Sequence, residues 1–208
     1  MLTTATPESA EPEDQTTVHE DTLRAATYAL LGTLLSAPPD VAMLDRLRAA
    51  NTEYGGQDPL AAAWATLALS ASRSQVPAID DEFHQLFIGL GRGELVPYAS
   101  WYMTGFLMER PLGELRRELA ELGIERNDSV REPEDHAAAL CQIMALLIDD
   151  PAYSRSQEHG FYERHIEPWM SRFFTDLESA KGAVFYHMVG RLGRHFMDLE
   201  KQSQGMSI

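Results

Sequence analysis

Two short stretches of this chain gather the side chains best suited to holding another molecule. In Glu132-Pro133-Glu134-Asp135-His136, three carboxylates and an imidazole crowd five positions, a set that can receive guanidinium groups through charge-assisted, often bidentate hydrogen bonds. Pro133 reads as the first residue of a helix, so the acids would also complement a helix dipole. That structural role accounts for the carboxylates but not for His136. An imidazolium is misplaced at a helix N-terminus, so His136 must be neutral or paired with a carboxylate such as Asp135. The second stretch is Pro97-Tyr98-Ala99-Ser100-Trp101-Tyr102, which follows the glycine-rich loop Gly89–Gly93. Three aromatics beside a flexible loop exceed what one helix stripe needs. They either plug a gap between helices, as buried rings commonly do, or line an apolar groove for an unstructured peptide.

Other chemistry is missing. The glycines at 89, 91 and 93 match neither the phosphate-binding loop, which needs a lysine, nor the dinucleotide fingerprint. None of the seven histidines has Glu three residues before it, no His-Glu-x-x-His occurs, and a single cysteine, Cys141, cannot build a zinc knuckle. Gly-x-Ser-x-Gly is absent too. No enzyme, metal site or cofactor is expected. His187 and His195, which flank Arg191, read as a half-buried polar face. Met103, Met108, Met144, Met170, Met188 and Met197 read as adaptable packing that also suits a peptide groove.

The elements that must position these stretches are helical. Leu23, Leu30, Leu31, Leu34 and Leu35 recur at helical intervals up to Pro38-Pro39. Val41, Leu44 and Leu47 make a second stripe, and Leu60, Ala63, Trp64 and Leu67 a third. Asp80 reads as the cap of a fourth helix carrying Phe83, Leu86 and Phe87. Pro111 opens a helix that Gly123 stops. Pro133 opens the next, followed by stretches at about 157–167, 169–179 and 183–202. No strand pattern competes. The expected fold is all-α, a single-domain helical bundle over 21–203, with a disordered acidic tail at 1–20 and a flexible C-terminus at 204–208.

The formal charge of −15 on 208 residues repels nucleic acid and anionic membrane surfaces and attracts cationic partners. It also serves solubility. No apolar run reaches membrane-spanning length, so no stable membrane insertion is expected. The start of the chain lacks the basic and apolar regions of an export signal, and one cysteine suits a reducing compartment, so a cytoplasmic location is expected.

Taken in order, Glu82-Phe-His-Gln-Leu-Phe-Ile-Gly89, Pro97-Tyr-Ala-Ser-Trp-Tyr102, Glu132-Pro-Glu-Asp-His136 and the closing His165-Ile-Glu-Pro-Trp169 with Phe173-Phe174 and Phe185-Tyr186 resemble the TorD/DmsD/NarJ family of redox-enzyme maturation chaperones. The likeness covers roughly residues 22–200 and looks most like the TorD-type branch, including members that serve formate dehydrogenases. It implies an all-helical fold of the TorD type. It also implies binding of the twin-arginine leader of a molybdopterin-dependent oxidoreductase precursor, preventing premature export and assisting cofactor insertion. Family peptide-binding positions carry over onto Leu86, Phe87, Pro97, Tyr98, Ser100 and Tyr102, and onto Glu132, Pro133, Asp135 and His136. Ala99 departs from the pattern, since many members hold a polar or acidic residue there.

On this reading Leu86, Phe87, Tyr98 and Tyr102 bury the apolar part of the leader. Asp135 and Glu132 engage its arginines, with His136 orienting the carboxylate. A homodimer is permitted, since the hinge Gly123–Pro133 could allow helices to be exchanged. The competing class is a non-catalytic helical adaptor or scaffold whose aromatic cluster is only core.

Overall fold

The computed structural model describes residues 12–50, 58–89, 93–126 and 131–206. Among these, ten α-helices follow one another: α1 (Pro12–Ser36), α2 (Val41–Ala49), α3 (Pro59–Arg73), α4 (Val76–Phe83), α5 (Ala99–Thr104), α6 (Arg110–Leu122), α7 (Ala137–Asp149), α8 (Arg155–Phe161), α9 (Met170–Ser179) and α10 (Phe185–Met206). Single π-turns at His84–Ile88 and Tyr162–Ile166 continue α4 and α8. The all-α expectation holds. No strand occurs among the described residues, and the only pairing of extended backbone there is an isolated antiparallel bridge between Tyr98 and His136.

The core is built from the apolar stripes. Tyr28, Leu31, Leu34 and Leu35 line the face of α1 that packs along α7, whose Leu140, Cys141, Met144 and Leu147 are equally buried. Burial in this apolar setting pushes the Cys141 thiol up to about 12, so it stays a neutral packing group. α9 lies along α10; Phe173, Phe174 and Leu177 on the first and Val189, Leu192 and Phe196 on the second are all buried. This approach needs Gly193, where a Cβ would fall 2.2 Å from the Phe174 ring. Each large side chain removed from water contributes about 1.5–3 kcal/mol before entropy is counted.

One buried ionic cluster ties the ends of the chain together. Arg24 on α1 is 4% exposed and donates to Glu200 on α10 (Nε, 2.6 Å) and to Glu158 on α8 (Nη2, 2.6 Å). Tyr28 donates its hydroxyl to Glu200 at 3.1 Å, and Arg155 reaches Glu158 at 3.1 Å. Burial acts to lower the pKa of Arg24, but the two carboxylates outweigh it and raise it, so the guanidinium stays charged.

Three boundaries differ from the sequence reading. α1 begins at Pro12, so residues 12–20 are helical rather than disordered; residues 1–11 lie outside the described residues. Proline suits the first helical position, and Thr22 adds a bond from its hydroxyl to the Val18 carbonyl at 2.8 Å. α10 runs on through Met206, past the expected flexible end at 204, with 207–208 outside the described residues. α4 begins at Val76 with Pro77 in its first turn, so Asp80 lies inside the helix and does not cap it.

Candidate functional site

The two chemistry-bearing stretches are knitted together. Across the Tyr98–His136 bridge, the Ala99 N–H donates to the Asp135 carbonyl at 2.9 Å and the Ala137 N–H to the Pro97 carbonyl at 2.8 Å. The hydroxyl of Tyr98 donates to the carboxylate of Glu132, and the Tyr98 ring stands edge-on to His136 with centroids 4.9 Å apart. Burial, then the bond to Glu132, push the Tyr98 hydroxyl well above its ordinary pKa, so it remains a donor.

Glu132 through His136 do not form a first helical turn, and this corrects the expectation placed on Pro133. α7 starts at Ala137, and His136 is its N-cap. Its Nδ1 accepts the Ala138 N–H at 3.1 Å, which requires that nitrogen to be unprotonated. Burial lowers the His136 pKa to about 4 against the opposing pull of Glu132 and Asp135. A neutral histidine at a helix start fits the dipole argument. Its partners are the Ala138 amide and the Tyr98 ring.

Asp135 is 1% exposed and serves the other side of the bridge. Its Oδ2 accepts the Ser100 N–H at 2.9 Å, capping α5, whose own N-cap residue Tyr98 supplies no side-chain cap. Its Oδ1 and the Ser100 Oγ are both buried without a hydrogen-bond partner. Glu134 is held by Arg116 at 2.9 Å and Arg126 at 3.8 Å. Burial raises its pKa, but the bonds from Arg116 outweigh this and leave the carboxyl below its usual range. Pro133 is half-buried, and its carbonyl accepts the His136 N–H at 3.1 Å. Glu132 is the acid of this pentapeptide that is exposed to solvent.

Leu86 and Phe87 sit in the first π-turn, which inserts an extra residue and turns the two side chains into the body of the molecule. Leu86 is fully buried, and Phe87 packs on Phe83 (5.1 Å) and Tyr186 (5.4 Å). The following loop folds back onto this turn, with the Leu95 N–H donating to the Leu86 carbonyl at 2.8 Å. Gly93 makes that return possible, since a Cβ there would lie 2.5 Å from the Leu86 oxygen. The carboxylate of Glu94 then pins the loop to the α9–α10 connection by accepting the N–H groups of Lys181 (2.6 Å) and Gly182 (3.0 Å).

As placed here, Leu86, Pro97, Ser100 and Asp135 are buried and present no surface to a ligand. Phe87, Tyr98, Tyr102 and His136 are partly open. Tyr102 rests on Trp169 (5.3 Å) and Phe173 (5.9 Å), donates to Asp176 at 3.0 Å and lies beneath Arg172, 5.6 Å from the ring centre. It forms one wall of a 420 Å³ cleft between the 94–105 stretch and α9, shared with Leu95, Val96, Trp101, Met103 and Glu94. On its other flank Glu132 borders a 240 Å³ hollow lined by Leu119, Ile124, Ile143 and Leu146. In the chain, the cleft-lining stretch that ends at Gly105 runs on into Phe106, Leu107 and Met108, which are 69, 49 and 73% exposed. Of these, the sequence reading named only Met108, as a methionine suited to packing or to a peptide groove, and not Phe106 or Leu107. Their signal was there: a run of large apolar residues directly after the aromatic stretch, between Gly105 and the charged Glu109-Arg110.

No group of three or more His, Cys, Asp or Glu among the described residues could hold a metal ion. No described helix is long and apolar enough to cross a membrane.

The comparisons with known proteins meet this geometry. The family model described as nitrate reductase delta subunit matches residues 55–175, which contain the loop, the aromatic stretch, the bridge and most of α9. The chain is 23% identical over 130 residues to the chaperone protein TorD of Vibrio parahaemolyticus, covering 57% of this chain and 60% of that one. It is 25% identical over 97 residues to the TorD of Actinobacillus succinogenes, covering 47% and 49%. With the Tat proofreading chaperone DmsD of Salmonella paratyphi A it is 27% identical over 175 residues, covering 82% and 85%. The match thus spans about half to three fifths of the two TorD proteins and most of the DmsD protein.

Proposed function

This chain belongs to the nitrate reductase delta subunit family, and on that premise we propose that it is a non-catalytic chaperone for the precursor of a molybdopterin-dependent oxidoreductase. It holds the precursor's twin-arginine leader in the cytoplasm, prevents premature export and assists cofactor insertion. The names of its relatives, chaperone TorD and Tat proofreading chaperone DmsD, support the class. The observation that carries the reading is the joining of the acidic and aromatic stretches into one seam, with Tyr98 bonded to an exposed Glu132. A leader with a basic start and an apolar middle needs both kinds of surface side by side.

Within that seam the roles divide. Glu132 receives a leader arginine by a charge-assisted bond. Asp135 and His136 act as positioning residues, since they cap α5 and α7 and hold the bridge in register. Leu86, Phe87, Pro97, Ser100 and Pro133 fix the backbone from which Tyr98 and Tyr102 project. A formate dehydrogenase is the client class implied by the TorD-type likeness, and a homodimer is a further state of the same reading.

Titrating a twin-arginine leader peptide into the protein tests the function. Micromolar or tighter binding that weakens as salt rises is expected, because exposed charge contacts are screened. No binding at low salt would contradict the proposal. Isolating the protein from its native cells together with a molybdoenzyme precursor would identify the client and, through its mass in complex, the state of association.

A further inference from the structure

The last turn of α5 and the segment that follows it turn four large apolar side chains towards solvent. Met103 is 41% exposed, Leu107 49%, Phe106 69% and Met108 73%. Isolated exposed hydrophobes need no explanation, but a contiguous cluster does. This cluster is held in a defined shape. The Thr104 hydroxyl donates to the Ser100 carbonyl at 2.7 Å and accepts the Phe106 N–H at 3.2 Å. Gly105 takes a left-handed conformation (φ 83°), which glycine adopts freely, and Met108 takes one too (φ 58°), at a cost for a residue with a side chain. A strained turn that points apolar groups outward gains nothing for the folded chain alone, and strain of this kind gathers at binding sites.

We infer that the knuckle Met103–Met108 receives the apolar segment of the bound leader, while Glu132 at the far end of α5 takes the basic residues. The inference rests on the leader-binding reading above. Charge supports this occupant over a second copy of a chain whose net charge is −15. Exposed Glu132 stands at one end of the track, and Glu94, Asp176 and Glu109 line or flank the other. Arg172 and Arg110 lie there too, but Arg110 pairs with Glu114 at 3.4 Å and Arg172 covers the Tyr102 ring.

The geometry also specifies a spacing. α5 has six residues and is therefore about 9 Å long at 1.5 Å per residue. Extended peptide covers that distance in about three residues. The leader that fits best carries large apolar side chains beginning about three residues beyond its arginines.

The test uses the full-length protein and synthetic 20-residue peptides with two arginines followed by a leucine- and phenylalanine-rich stretch after one, three or six residues. Wild-type affinity should peak at the three-residue spacing, and a flat dependence would overturn the inference. The variant Phe106→Ser/Met108→Ser should bind the best peptide at least ~10-fold more weakly, the loss expected for removing an apolar contact of this size. Its salt dependence should be unchanged, and Phe106→Leu should restore much of the loss. Equal binding by wild type and the serine variant would sink the inference while leaving the function intact. The inference fails in the same way if Leu146→Ser, in the hollow on the other flank of Glu132, weakens binding in its place, or if the serine variant changes only self-association. Failure of the wild type to bind any peptide would remove both readings. Unchanged helical circular dichroism in the variants separates these outcomes from misfolding.

Discussion

Two acidic clusters in this molecule are made from the same residue types and are built to opposite ends. Around Arg24, the carboxylates of Glu158 and Glu200 are 3% and 0% exposed, and both oxygens of Glu200 accept hydrogen bonds from Arg24, one of them also from Tyr28. Around the Tyr98–His136 bridge, Glu132 faces solvent, and Asp135 Oδ1 and Ser100 Oγ are left without partners. The first cluster closes on itself and joins α1, α8 and α10. The second commits Asp135 and His136 to the fold and leaves the carboxylate of Glu132 at the surface. Acidity alone therefore does not mark the site; the degree to which the acids are already satisfied does.

The contrast can be broken most forcefully at the closed cluster. Glu200→Ala leaves Arg24 buried beside an emptied partner and should destabilise the protein by about 3–5 kcal/mol, read by urea denaturation. A loss below about 1 kcal/mol would mean that water reaches the cluster and that it is not closed. At the open cluster, acid acts through His136. Its pKa in the folded protein is about 4, below the ~6.5 of an unfolded chain. The unfolded state therefore binds the extra proton first as pH falls. Stability from this group is full above about pH 6.5 and is lost progressively down to about pH 4, by up to ~3 kcal/mol. His136→Asn, which can still cap α7, should flatten that part of the stability profile.

Asp135→Ala removes the cap that α5 takes from across the bridge and should cost about 1–3 kcal/mol, with leader binding weakened because the bridge loosens. Glu132→Gln is the smallest change to the fold, within about 0.5 kcal/mol for an exposed residue, yet it should weaken leader affinity about fivefold. A substitution that spares stability but costs binding distinguishes the open cluster from the closed one.

Much of the fold was legible because helical apolar spacing and Pro and Gly punctuation are local. The stripes of α1, α2 and α3 were visible as such, apart from Leu23 and Val41, which the structure leaves exposed, as were Pro111 in the first turn of α6 and the stop at Gly123. The place of Glu132–His136 was not. A proline ahead of an apolar run looks the same whether it opens a helix or lies in a turn three residues before the helix cap. Only the pairing with Pro97–Ala99, far away in the chain, decides between them. The same non-locality hid the burial of Asp135. It also hid the ionic cluster, since Arg24, Glu158 and Glu200 have no shared spacing in the chain. Residues 12–20 read as a tail by composition, and their helix gains from continuity with the anchored part of α1. Phe106 and Leu107 were hidden for another reason: apolar residues after a tyrosine look like core until the left-handed turn at Gly105 is known.

The central claim is that Glu132 meets a leader arginine beside the Tyr98 ring, and a double-mutant cycle measures this contact itself. Calorimetric titration would pair wild type and Glu132→Gln with a leader carrying Arg-Arg and one with the first arginine replaced by glutamine. The account predicts that the second change costs far less once the first is made, leaving a coupling of about 0.5–1 kcal/mol that shrinks with salt. Strictly additive losses, unaffected by salt, would contradict it.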